Sequence, residues 1–267
     1  MERTFEIKKG ENGLNFVSCH DVNPKMHVTK EGNSKTGKKV GSWNFPVEQT
    51  CNHLCECYKS TACYACGGFY QMPDNMRRYA ENLAFFLKHD SETFIDMFCE
   101  MLKANGNELF RYFTIGDIVN SRFFACMVEI ARRMPDVKFW SYTKKYNIVN
   151  KWCNVNGIEN FPENLTIIFS HWLNENGEYF PMENPYNFPT SEFIPLGKEH
   201  LTANITHICP CSNPDVIATC ATCDHACYTL KHGESMALLE HSTSRTKARD
   251  KAIRTAHNTI KANKKAC

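Results

Sequence analysis

ELFRYFTIGDIVNSRFFACMVEIARRMPDVKFWSYT, residues Glu108 to Thr143, predicts the fold class of this chain. An apolar strand, Glu108 to Ile115, comes first and is followed by an amphipathic helix, Asn120 to Met134, which Pro135 stops. A second apolar strand, Val137 to Thr143, closes the segment. Two strands joined through a helix form a right-handed parallel crossover, so the segment predicts a parallel sheet.

The same alternation continues on both sides of this segment. Downstream, YNIVNKWCNV predicts a helix that ends at Gly157, and Asn164 to Trp172 predicts a third strand. Upstream, two helices are predicted, Met76 to His89, with Asp74 as its cap, and Ser91 to Ala104. The strands are continuously apolar, which is typical of strands buried on both faces. We therefore expect an α/β core.

The remaining segments are less regular. Thr4 to Val17 predicts two short strands around a Gly-Glu-Asn-Gly turn, and Gly32 to Pro46 predicts a polar surface loop. Leu173 to Asn204 predicts a long loop, of the kind that is usually functional or a lid. Ile205 to Cys209 predicts one more strand. Thr243 to Ala262 predicts a polar helix that buries only a narrow face.

Length and composition indicate a globular protein. A chain of 267 residues can form one large domain, and we divide it into an N-terminal hairpin and loop (1–50), an α/β core (51–208) and a cysteine-rich segment with the last helix (209–267). The net charge of +2 gives no general argument for nucleic acid as a partner. No apolar run could span a bilayer, and the N-terminus lacks the apolar core of a signal peptide, so we expect a cytoplasmic protein.

The cysteines are the chemical signal of this sequence. A reducing compartment disfavours disulfides, so clustered cysteines there indicate metal binding, and isolated ones such as Cys99, Cys126 and Cys153 indicate buried packing. Ten of the fifteen cysteines fall into two groups. The first group is Cys51, Cys55, Cys57, Cys63 and Cys66, and the second is Cys209, Cys211, Cys220, Cys223 and Cys227.

The spacing favours iron–sulfur clusters, with zinc as the alternative. Paired zinc knuckles usually show two CxxC pairs across a longer gap, whereas the first group is crowded and irregular. Cluster ligands tolerate irregular loops because each needs to reach only one corner of a cube. Four thiols of the second group would close a site, which suits a relay cluster or a structural zinc.

Phe113-Thr114-Ile115-Gly116-Asp117 lies at the end of the first core strand, behind the cysteine loop. This arrangement resembles the radical SAM superfamily, in which a cysteine loop precedes a strand with a glycine–acid motif. The resemblance implies a partial (β/α) barrel, a 4Fe-4S cluster, and S-adenosylmethionine bound through Gly116 and Asp117. Three of the first five cysteines would leave one iron open to this cosubstrate, and four would close the site. The resemblance assigns no substrate and no catalytic residue.

The chain also resembles the phage family known as gene product eighty-eight. The shared features are Gly32 to Gly37, Thr50-Cys51, Cys63-Tyr64-Ala65, Gly116-Asp117, and Cys209-Pro210 followed by clustered cysteines. This resemblance implies a viral protein in the host cytoplasm. The leading hypothesis is thus a radical-SAM-like enzyme acting on a nucleotide or nucleic acid. The alternative is a non-catalytic binding or electron-transfer protein stabilised by metal. The oligomeric state is left open.

Overall fold

The computed structural model of the chain describes residues 5–33, 36–59, 63, 65, 67–172, 178–194, 205–210, 213, 215–223, 226–239 and 247–266. A small antiparallel hairpin, β1 (Lys8–Lys9) and β2 (Asn15–Phe16), confirms the expected pair of N-terminal strands. The main sheet has seven strands in the order β3-β4-β5-β6-β7-β9-β8, and all described pairings in it are parallel. Its strands are β3 (Val40–Trp43), β4 (Leu109–Tyr112), β5 (Lys138–Thr143), β6 (Leu165–Trp172), β7 (Thr190–Ile194), β8 (His207–Ile208) and β9 (Ser235–Leu239).

Helices connect these strands and supply one layer of the fold. They are α1 (Val47–Thr50), α2 (Glu56–Lys59), α3 (Pro73–Lys88), α4 (Ser91–Asn105), α5 (Ser121–Arg133), α6 (Tyr146–Asn156) and α7 (Lys247–Ala266). Asp90 caps α4 and Asn120 caps α5, each through its side-chain oxygen, while Gly106 ends α4 in the left-handed conformation. These caps explain why the two helices begin and end within a residue of where the sequence predicts them. None of the helices described is long and apolar enough to cross a membrane.

The two faces of the main sheet carry different cores. Residues such as Phe110 and Phe139 point to one face and pack among the aromatic side chains of α3, α4 and α5. Trp140, next to Phe139, points to the other face, where it packs with Ile168 and Met236. Side chains alternate along a strand, so β5 divides its residues between a helix-covered face and this second face. We call the second face the cysteine face, because Cys227 belongs to its core.

The structure corrects several boundaries. The predicted polar loop at Gly32 to Pro46 contains strand β3, every residue of which is buried. The predicted lid contains strand β7, which pairs with β6, while residues 173–177 and 195–204 lie outside the described residues. Strand β9 was not predicted, and it joins the sheet between β7 and β8. Helix α3 starts at Pro73, because proline suits the first helical position, so Asp74 lies in the first turn and does not cap the helix.

These strands confirm the α/β class and the parallel sheet. The core helices and strands between Ser91 and Trp172 fall close to their predicted places, although β4 ends at Tyr112 because Phe113 adopts a positive φ of 59°. The last helix runs from Lys247 to Ala266 and buries Ile253, Ala256 and Ile260 against the strands, which is the narrow face expected. The partial barrel stays a prediction.

Candidate metal centres

The first cysteine group lies at the carboxyl ends of the central strands. Strand β3 leads through Pro46 into the single turn α1, and Cys51 follows directly. Thr50, the last residue of α1, donates its hydroxyl to the Pro46 carbonyl over 2.7 Å and accepts the backbone N–H of Asp117 over 3.1 Å. These bonds fix the start of the cysteine loop beside the end of β4. In open parallel sheets, ligands bind at this edge.

Cys57 is the centre of the described thiols of this group. Hydrogen bonds from Cys55 and Cys63 hold the pKa of the Cys57 thiol well below its ordinary value. Burial, together with the nearby charges of Asp117 and Cys57, raises the pKa of Cys51. The structure therefore brings Cys51, Cys55, Cys57 and Cys63 together, as the sequence predicts, while Cys66 lies outside the described residues.

Two lysines after β5 face this loop. The Lys144 ammonium forms a hydrogen bond with the Cys57 side chain, donates to Ser170 Oγ over 3.1 Å, and lies 5.1 Å from the centre of the Trp172 ring. Burial opposes its charge, but Cys57, Cys55 and Asp117 raise the pKa of Lys144 above its ordinary value. The Lys145 ammonium instead contacts the backbone carbonyl of Cys51 at 3.4 Å. Lys144 thus places a positive charge against the thiols.

Asp117 is buried, and its carboxylate accepts three hydrogen bonds from the protein. Oδ1 accepts the Thr143 hydroxyl over 2.6 Å and the Ile118 N–H over 2.7 Å, and Oδ2 accepts the Lys144 N–H over 2.9 Å. Burial nevertheless raises the pKa of Asp117. Gly116 has φ +86°, and a Cβ there would lie 2.5 Å from the Phe45 carbonyl oxygen. The glycine–acid pair therefore packs the ends of β3, β4 and β5 together and aims Lys144 at the cysteine loop.

The second cysteine group lies on the cysteine face. The Tyr142 hydroxyl is 2.7 Å from Cys227 Sγ, and Cys220 and Cys223 lie close enough to Cys227 for their charges to affect it. Burial raises the pKa of Cys227 to about 12. Cys209 packs against the same core, so four of the predicted cysteines are gathered there. Cys211 lies outside the described residues.

Both groups contact the same face of the sheet. Lys144 contacts Ser170 and Trp172. Both side chains point to the same side of β6 as Ile168, which belongs to the core of the cysteine face. Tyr142 points to that face too, because it contacts Cys227. Lys144, directly after β5, therefore links the first group to the face on which the second group lies.

The donor chemistry of both groups fits a thiolate-bound metal. Every cysteine in the described part of the chain is free of disulfides. No three described Cys, His, Asp or Glu side chains stand ready to hold a single metal ion, and the first thiols hydrogen-bond to one another. An iron–sulfur cluster takes one thiolate on each of its irons. Soft thiols beside a partly buried cation are a suitable environment for such a cluster.

The histidines of the cysteine loop and of β6 have structural partners. The His53 ring bonds the Glu48 carbonyl over 2.7 Å and stacks on Tyr58, and the His171 ring bonds the Phe180 carbonyl over 3.1 Å. Cys99, Cys126 and Cys153 are buried, as predicted. Sequence reasoning missed Lys144 and Tyr142 as site residues. A polar residue at or just past the end of a central parallel strand was the available signal.

A family model described as Gene product 88 matches residues 20–185, which is more than half of the chain. The matched range includes the first cysteine group and Gly116-Asp117, and it ends before the second group. No curated protein and no solved structure gives a significant match. The match confirms the resemblance to the phage family, whereas the radical SAM resemblance rests on the sequence motifs alone.

Proposed function

The chain belongs to the gene product 88 family of phages, and we propose that it is an iron–sulfur protein whose first cysteine group holds the cluster. One observation carries this proposal. At the carboxyl edge of the parallel sheet, the Lys144 ammonium lies beside the described thiols of the first group, Cys51, Cys55, Cys57 and Cys63. Structural thiols in a core pack against apolar groups, whereas an anionic thiolate site gains from a nearby cation.

The enzymatic form of the proposal is a radical-SAM-like reaction. A 4Fe-4S cluster with one open iron would supply single-electron reduction of bound S-adenosylmethionine, which is the chemistry that the motif resemblance implies. Strands β3 to β7 follow one another in sequence order across the sheet, which supports the partial barrel of that superfamily. Lys144 and Lys145 would hold the cysteine loop in place through Cys57 and the Cys51 carbonyl. The phage family makes nucleotides and nucleic acids the first substrates to test.

Asp117 favours the second candidate function, a closed metal-stabilised protein without S-adenosylmethionine chemistry. Its two carboxylate oxygens already accept three hydrogen bonds from the protein, which leaves little capacity for the amino group of a cosubstrate. A site closed by four thiolates would then serve electron transfer or folding.

Two measurements, made one after the other, test these functions. The first is iron and acid-labile sulfide in protein purified without oxygen, where a colourless protein that contains only zinc would refute the iron–sulfur proposal. The second adds S-adenosylmethionine and a strong reductant to the iron-loaded protein. Release of 5′-deoxyadenosine supports the enzymatic form. An unchanged cluster spectrum with no cleavage supports the closed form.

A further inference from the structure

The cysteine face carries a buried polar hydrogen that no described residue accepts. The indole N–H of Trp140 is fully shielded from water and has no hydrogen-bond partner among the described residues. A buried donor without an acceptor costs about 1 to 3 kcal/mol, so an acceptor placed beside the indole would stabilise the protein. Trp140 belongs to the same core as Cys227, and Cys209 and Cys220 pack against that core.

Two further groups surround the same thiols. The Tyr142 hydroxyl contacts Cys227 Sγ, and the Arg111 guanidinium lies 5.1 Å from the centre of the Tyr142 ring and acts electrostatically on Cys227. Arg111 and Trp140 are direct neighbours in the pairing of β4 with β5. One patch of the sheet beside the second cysteine group therefore carries a cation, a hydroxyl and an indole N–H.

We propose that Cys209, Cys220, Cys223 and Cys227 hold a second iron–sulfur cluster against this patch, with Trp140 and Tyr142 as hydrogen-bond donors to its sulfur atoms. A zinc ion bound by four thiolates offers no atoms beyond those thiolates, whereas a cluster adds bridging sulfides that can accept further hydrogen bonds. The buried indole N–H, the hydroxyl and the positive charge suit the cluster. This extends the proposed function to a second site and does not need a cluster at the first.

The first test separates the two sites by metal content. In the variant C51A/C57A/C63A, anaerobic reconstitution should leave about half of the wild-type iron and sulfide, with the visible absorption of a cluster. In the variant C220A/C223A/C227A, the iron that remains belongs to the first site. Zinc alone, or no metal, in C51A/C57A/C63A would overturn the second cluster. Absence of iron in C220A/C223A/C227A would instead count against the proposed function of the first site.

The second test uses matched aromatic substitutions. Trp140→Phe and Tyr142→Phe remove donors on the cysteine face, so the midpoint potential of the cluster retained in C51A/C57A/C63A should become more negative. Trp43→Phe and Tyr112→Phe are the controls, because their polar hydrogens are equally buried and have no partner among the described residues, but they lie on the helix-covered face. Equal potentials in both pairs would overturn the assigned donors. If Trp140→Phe does not fold, the Tyr142→Phe and Tyr112→Phe pair decides the question.

Discussion

Tyr142 and Lys144 are two residues apart and contact the same face of the sheet, and each reaches a different group of cysteines. The Tyr142 hydroxyl is 2.7 Å from Cys227 Sγ, and the Lys144 ammonium forms a hydrogen bond with Cys57. Successive residues on one face of a strand are about 7 Å apart. Both candidate metal centres therefore contact the fold at the end of β5, although Cys57 and Cys227 are 170 residues apart in the chain.

The first prediction concerns Lys144. Lys144→Met should weaken iron retention at the first site about tenfold, because a charge-assisted hydrogen bond to a thiolate contributes about 1.5 to 3 kcal/mol. Iron loss to a chelator over time measures the effect. Lys151→Met is the matched control, since Lys151 is exposed on α6, outside the cysteine loop. Equal chelation rates in the two variants would rule out a role for the Lys144 charge.

The second prediction concerns Asp117. Asp117→Asn replaces one carboxylate oxygen by an amide that cannot accept the hydrogen bonds of Thr143 or Lys144. Unfolding in urea should show a loss of about 2 to 4 kcal/mol, because a buried donor is left without its charged acceptor. The exposed Asp136→Asn should change the free energy of unfolding by less than about 0.5 kcal/mol. A similar small change in Asp117→Asn would contradict the anchoring role.

The third prediction concerns Gly116. Gly116→Ala places a Cβ 2.5 Å from the Phe45 carbonyl at a backbone φ of +86°, so the ends of β3 and β4 must separate. We expect a loss of roughly 2 to 4 kcal/mol and a lower melting temperature. Gly67→Ala is the control, because its Cβ would meet nothing within 4 Å. If both variants melt alike, the close approach at Gly116 is not a constraint.

The fourth prediction concerns pH. Burial raises the pKa of Glu192 above its ordinary value of 4.5, although the Tyr179 hydroxyl donates to Oε2 over 2.7 Å. A carboxyl whose folded pKa is raised stabilises the fold while it is protonated, and this contribution is lost as the pH rises through the folded pKa. Wild-type stability should therefore fall across the pH interval just above 4.5, and Glu192→Gln should flatten that fall. Urea titrations at several pH values measure it, with the exposed Glu163→Gln as control. An identical pH dependence in wild type and Glu192→Gln would contradict the prediction.

The sequence predicted the elements whose signals are local. Helix α4 and strand β6 follow from apolar periodicity and caps, and the two cysteine groups follow from residue type alone. Strand β3 was not predicted, because its four residues follow a lysine-rich segment. Only their pairing with β4 shows that they are buried. The role of Lys144 could not be predicted from the sequence for a similar reason. Its contacts with Cys57 and Ser170 join parts of the chain that only the folded sheet brings together.

The most direct test of the first metal centre compares the substitution of two cysteines in one iron assay. Cys57→Ala removes the thiol at the centre of the first group, and Cys126→Ala removes a core thiol of helix α5. After anaerobic reconstitution, iron and acid-labile sulfide should fall by about one cluster per chain in Cys57→Ala and stay at the wild-type level in Cys126→Ala. Equal iron in the two variants, or zinc without sulfide in the wild type, would contradict an iron–sulfur cluster at Cys51 to Cys63.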